Sequence, residues 1–134
     1  MATSDSKLIS DIREVLRSQV DIQLAILFGS VARHEESRES DIDIAVDLGG
    51  RIFAERKIEM VQSLAAKTGR AIDLIDLQTV GEPLLGKILR DGVSLIGDTS
   101  RYAALIRRHL FDAADFTPYR DRILRERRNA WTTK

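Results

Sequence analysis

The fold is decided by residues 22–47, which read Ile22-Gln23-Leu24-Ala25-Ile26-Leu27-Phe28, then Gly29-Ser30, and, after ten further residues, Asp41-Ile42-Asp43-Ile44-Ala45-Val46-Asp47. The first run is apolar and short, the pattern of a buried strand. Gly29 and Ser30 end it. Glycine permits a sharp turn and lets an anion approach the backbone, and Ser30 is suited to cap a helix starting at Val31-Ala32-Arg33-His34. A helix start points free N–H groups at an anion. Arg33, in the first turn, has two readings: a charge-assisted contact to a phosphate oxygen or an exposed helix residue.

The second run, Asp41 to Asp47, alternates, so Asp41, Asp43 and Ala45 share one strand face while Ile42, Ile44 and Val46 share the other, which is expected to be core. Carboxylates at i and i+2 lie roughly 6–7 Å apart at their Cα atoms, close enough for their oxygens to converge on hard cations. Two-metal sites hold their ions about 3.5–4 Å apart, and this spacing can serve one. A third strand, Ala71-Ile72-Asp73-Leu74-Ile75-Asp76-Leu77, carries an acidic residue inside an apolar run. Asp73, near its start, is placed to lie beside Asp43. Asp76 falls on the opposite face near the exit, where it caps or solvates the strand end.

Topology follows from the site. Gly29-Ser30 closes strand one and Asp41 opens strand two, so these strands must run antiparallel to bring both ends together. A helix between strands two and three then makes that pair parallel, through a crossover expected to be right-handed. The sheet is therefore mixed. A first helix is expected from a cap at Ser4 or Asp5, with Leu8, Ile9, Ile12, Val15 and Leu16 on one face. Ile52, Phe53, Ile58, Val61, Leu64 and Ala65 mark the crossover helix, which ends near Gly69. Pro83 suits the first turn of a helix through Leu84, Leu85, Ile88 and Leu89 that stops at Asp91-Gly92. Val93 to Ile96 is expected as a short edge strand. Two helices follow, one with Tyr102, Leu105, Ile106 and Leu110, the other opening at Thr117-Pro118.

The pattern Gly29-Ser30, Asp41-x-Asp43 and a later strand Asp73 resembles the polymerase-β-like nucleotidyltransferases. Over the whole chain, including Val80 to Asp98 and the Arg-rich end, it is similar to the minimal nucleotidyltransferase (MNT) antitoxins that accompany HEPN-domain toxins. His34 is a departure, standing where glycine is most often found. The resemblance implies an α/β (α+β) fold, a small mixed sheet with packed helices. It implies catalytic, metal-binding Asp41, Asp43 and Asp73, with two Mg²⁺ ions, and Gly29, Ser30 and Arg33 at the phosphates of a nucleoside triphosphate. It further implies ATP as donor and a tyrosine hydroxyl of a HEPN ribonuclease toxin as acceptor, a type VII-like antitoxin activity. Two rival readings are a non-catalytic antitoxin that masks the toxin by binding, and a nucleotidyltransferase acting on an aminoglycoside-like alcohol.

With 134 residues the chain fits a single domain, 1–134, leaving little room for a separate acceptor-binding domain. A partner protein is expected to supply the rest. The absence of cysteine excludes disulfides and thiolate metal sites, and no apolar run approaches the roughly 20 residues of a membrane helix. No basic-then-apolar leader opens the sequence, so a cytoplasmic protein is expected. The two histidines, His34 and His109, form no ligand pair at helical spacing and read as surface residues.

Net charge is zero, yet residues 100–134 carry nine Lys/Arg against four Asp/Glu, and residues 1–99 carry twelve against seventeen. Acidic residues interrupt the basic end, and aromatics hardly interleave it, which argues against nucleic acid. Arg120, Arg122, Arg125, Arg127 and Arg128 are expected to dock the protein partner. Tyr102, Tyr119 and Trp131 read as packing or interface aromatics.

Overall fold

The computed structural model describes residues 4–32 and 41–112. Arg33, His34, Thr117-Pro118, Tyr119, Trp131 and the five clustered arginines lie outside them. The chain folds as α1 (Ser4–Arg17), β1 (Leu24–Phe28), α2 (Gly29–Ala32), β2 (Ile42–Asp47), α3 (Ala54–Thr68), β3 (Ile72–Asp76), α4 (Leu84–Asp91) and β4 (Val93–Ile96). A further helix, α5, spans residues 99–112. The four strands form one sheet in the order β3-β2-β1-β4. β1 runs antiparallel to both β2 and β4, and β2 runs parallel to β3. The expected mixed sheet and the edge strand at Val93–Ile96 are both present, and α3 makes the parallel crossover.

Alternation along the strands feeds two cores, one on each face. Ile42, Ile44 and Val46 of β2 and Ala25 and Leu27 of β1 pack with Ile12 and Leu16 of α1 and Met60 and Leu64 of α3. Each fully buried aliphatic side chain of this kind contributes about 1.5–3 kcal/mol of transfer free energy. On the other face, Leu24, Ile26 and Phe28 of β1 and Ala45 of β2 pack with Leu85 and Ile88 of α4 and Leu105 of α5. The aspartate face of β2 is thus not an open polar surface beside a single core. It is roofed by α4 and α5, and only its first residues emerge.

Several boundaries shift for physical reasons. β1 starts at Leu24, since Ile22 is buried in the turn leading to it and Gln23 N bonds to Asp47 O at 2.8 Å. α3 begins after Ile52 and Phe53, and it turns Met60 and Leu64 inward while Phe53 and Ile58 face out. Gly69, left-handed with φ +71, closes α3 as expected, its N–H donating to Ala65 O.

Two aspartates hold the end of the sheet away from Gly29. Asp47, 4% exposed, accepts from Gly49 N and Gln78 Nε2, both at 2.8 Å, and faces Arg101 Nη1 at 3.5 Å. Asp76 accepts from Ile52 N and Gln78 N at 2.9 Å each. It ties down the turns at the exit of β3, the capping role expected of it.

Candidate active site

Strand register builds the site. Asp43 sits across from Phe28, the last residue of β1, on one side and from Asp73 of β3 on the other. Asp73 and Ile75 alternate onto the same face as Asp43 and Ala45. Asp73 comes within hydrogen-bonding reach of Asp43, and Asp41, one residue before β2, adds its charge nearby. The sequence-predicted carboxylates therefore gather at one end of the sheet.

Gly29 is the residue next to Phe28, and it turns with φ +75, a left-handed conformation that favours glycine. A Cβ there would overlap Asp43 Oδ2 and stand 3.0 Å from Asp43 Cγ. The glycine is needed twice over: for the backbone conformation, and to let the turn approach the carboxylate. α2 opens at Gly29 itself, so Ser30 lies inside the first turn instead of capping it. The residue is half-buried in the turn. The reading of Ser30 as a helix cap is thereby corrected. Ser30→Ala is expected to weaken binding of a Mg²⁺–triphosphate, read by calorimetric titration, while leaving the melting temperature unchanged, because no cap is lost.

Electrostatics at this end are unfavourable in the absence of a cation. Burial raises the Asp43 pKa above its ordinary 3.8, and the negative charge and hydrogen bond of Asp73 and the charge of Asp41 raise it further. Only Lys87 opposes them. Nothing in the linear sequence brings residue 87 to residue 43. It arrives because α4 roofs the same sheet face, and this neighbour of Asp43 is one that the sequence alone does not reveal.

Among the described residues, no three acidic or histidine side chains are already gathered tightly enough to hold a metal ion. Asp43 and Asp73 are paired, and both Asp73 and Asp41, the latter at the strand entrance, are exposed. The donor set nonetheless fits a hard divalent cation: every donor is a carboxylate oxygen, and the carboxylates repel one another in its absence. Asp41, Asp43 and Asp73 are the residues that could hold such ions, with Asp41 drawn inward.

His109 departs from its reading as a surface residue. It is half-buried on α5, with Nδ1 against Glu82 Oε1, and Glu82 Oε2 accepts from Gly86 N at 3.2 Å. This pair ties α5 to the start of α4. A Cβ on Gly86 would lie 3.2 Å from His109 Nδ1, so the small residue lets the two helices close.

Among the described residues, no helix is long and apolar enough to cross a membrane. Residues 10–101 match the family described as polymerase beta, nucleotidyltransferase. The protein adenylyltransferase MntA of Shewanella oneidensis is 31% identical over 94 residues, which span 70% of this chain and 66% of that protein. In a toxin–antitoxin complex crystallised with AMP-PNP, one chain superposes with TM-score 0.78 at 26% identity, over 88% of this chain and 96% of that one. A chain from the complex of tri-AMPylated Shewanella oneidensis HEPN toxin with MNT antitoxin shares the fold, with TM-score 0.74 at 24% identity, over 91% and 97% of the two chains. With a family match that takes in both the Gly29 turn and the three aspartates on a sheet of this topology, the chain belongs to the polymerase beta nucleotidyltransferase family.

Proposed function

We propose that this chain is an antitoxin of the MNT kind that transfers AMP from ATP to a tyrosine hydroxyl of a cognate HEPN ribonuclease toxin in the cytoplasm, and so neutralises it. The observation that carries the chemistry is the Asp43–Asp73 pairing across β2 and β3, with the Cβ-less turn of Gly29 packed on Asp43. The names of the similar proteins, an adenylyltransferase and an antitoxin bound to an AMPylated HEPN toxin, support the donor and the acceptor.

In this reaction the acceptor oxygen attacks the α-phosphorus, the bond to the β-phosphate oxygen breaks, pyrophosphate leaves and the hydroxyl proton is lost. Positioning and charge neutralisation dominate such transfers. Mg²⁺, when bound, neutralises the triphosphate and lowers the pKa of the acceptor hydroxyl. Asp41 and Asp43 would hold it, and Asp73, opposite Asp43, would complete the set on the acceptor side. Gly29 and Ser30 cradle the phosphates. The whole chain acts as one catalytic domain, and the toxin completes the acceptor site.

The rival reading, neutralisation by masking alone, makes an opposite demand on the same residues. Toxin ribonuclease activity, assayed with the double variant Asp41→Asn/Asp43→Asn and ATP, separates them. Catalytic neutralisation predicts that the toxin stays active. Undiminished neutralisation by the double variant would establish masking.

A further inference from the structure

One side of α5 is apolar yet uncovered. Leu105 turns into the core, whereas Ile106, Leu110 and Phe111 are 39%, 61% and 66% exposed, with Ala103 exposed beside them. Isolated apolar residues on a surface need no explanation, but Ala103, Ile106 and Leu110 recur at helical spacing and form a continuous stripe. At its start the stripe runs into a cavity of about 420 Å³ between α5 and the edge strand β4, lined by Ser94, Gly97, Thr99, Tyr102, Ala103 and Ile106. At its other end residues 113–134 leave α5.

The sequence of that segment matches the stripe. Thr117-Pro118 supplies a cap and a first-turn proline, and Tyr119, Ile123, Leu124 and Trp131 gather on one side of a helix begun there. A helix from Pro118 to Trp131 would equal α5 in length, roughly 21 Å. Residues 113–117 are a connection of the length that joins antiparallel helices. Along a helix returning from that turn, Tyr119 meets Leu110 and Phe111, Ile123 and Leu124 meet Ile106, and Trp131 arrives at Thr99, in the mouth of the cavity. Arg120 and Arg127 fall on the same side. Arg120 lies by Asp112 at the turn, and Arg127 lies opposite the small Ala103, where its stem can lie flat while its guanidinium reaches water. Arg122, Arg125 and Arg128 fall on the opposite side.

We infer that residues 118–131 pack as a helix antiparallel to α5 on this stripe and seat Trp131 in the cavity between α5 and β4. The chain's own segment is the occupant because it is tethered at the end of the stripe, which gives it a high effective concentration over any separate molecule. Its length and apolar spacing match the stripe as well. The inference is independent of the nucleotidyltransferase reading. It turns Arg122, Arg125 and Arg128 outward, so these three of the five clustered arginines are the ones free to meet a protein partner.

Trp131 is the one tryptophan in the sequence, so fluorescence of the full chain reads its surroundings directly. Blue-shifted emission, quenched by acrylamide several-fold less than that of a free tryptophan amide, is expected at every protein concentration. Ala103→Glu, at an exposed position outside the core, should shift the emission to the red and raise the quenching, with the circular dichroism of the sheet unchanged. Arg122→Glu/Arg125→Glu/Arg128→Glu should leave the emission where it is, and a red shift in that variant would overturn the outward placement. Solvent-like emission from the wild-type chain overturns the inference, as does burial that Ala103→Glu leaves undisturbed, which places the tryptophan elsewhere. Burial that appears only at high concentration makes a second copy the occupant, and burial that appears only on adding a HEPN toxin or anionic vesicles gives the stripe to them; either result overturns it too.

Discussion

Asp43→Asn is expected to remove AMP transfer almost completely and, at the same time, to make the metal-free protein more stable near neutral pH. Loss of transfer follows because the substitution deletes a carboxylate that both the Asp41 and Asp73 halves of the site need. Metal-assisted charge stabilisation is worth several kcal/mol, so a fall of about 10³-fold or more is expected. The gain in stability follows from the raised pKa. Folding desolvates Asp43 and sets it beside Asp73 and Asp41, so the folded state holds its proton more tightly than the unfolded state does.

The sign is therefore opposite to that of a salt-bridged aspartate. Ionised Asp43 penalises the folded state fully above its raised folded pKa. The penalty fades as pH falls through that value toward the ordinary 3.8. The melting-temperature advantage of Asp43→Asn over wild type should be largest near neutral pH and shrink on acidification. Mg²⁺ should raise the melting temperature of wild type and not that of the variant. A variant less stable than wild type at neutral pH without metal would mean that the aspartate group is not under electrostatic strain.

Gly29→Ala is expected to be nearly as damaging, through geometry instead of charge. Placing a Cβ at φ +75 costs about 1–2 kcal/mol in backbone terms. The new methyl would also overlap Asp43 Oδ2. The Asp43 carboxylate must rotate away from Asp73, or the turn must lift from β2. Displacements of about 1 Å in a positioning site cost about 10²-fold in rate, and that fall in kcat is expected together with a lower melting temperature. Circular dichroism of the variant should still report the folded sheet. Transfer at the wild-type rate would show that the close approach of Gly29 to Asp43 is not part of the site.

Much of this arrangement was legible in the sequence because strands encode two things at once. The alternation of Asp41, Asp43 and Ala45 against Ile42, Ile44 and Val46 fixes the faces, and the position of Gly29-Ser30 at the end of β1 fixes the strand direction. The third carboxylate, Asp73, and the capping role of Asp76 follow from the same parity. What alternation cannot give is how the second face is covered. Ala45 and Phe28 are buried by Leu85, Ile88 and Leu105, which are distant in sequence. Lys87 and His109 reach their places only through that tertiary packing.

Helix faces were less legible than strand faces. In α3 the apolar set predicted from spacing holds at Val61 and Leu64, but Ile52 and Phe53 precede the helix, Phe53 and Ile58 face out, and Met60, outside that set, is buried. A helix that packs on a twisted sheet buries a narrow stripe, and apolar residues at its rim stay exposed. At Ser30 the preference of serine for caps was not realised, because α2 starts one residue earlier, at Gly29.

Catalytic neutralisation of a HEPN toxin is decided by intact-mass measurement of the cognate toxin after incubation with this chain, ATP and Mg²⁺. Discrete additions of AMP to the toxin are expected to appear with wild type, to be lost with Asp43→Asn and to coincide with loss of ribonuclease activity. A toxin of unchanged mass that is nonetheless fully neutralised by the wild-type chain would contradict it.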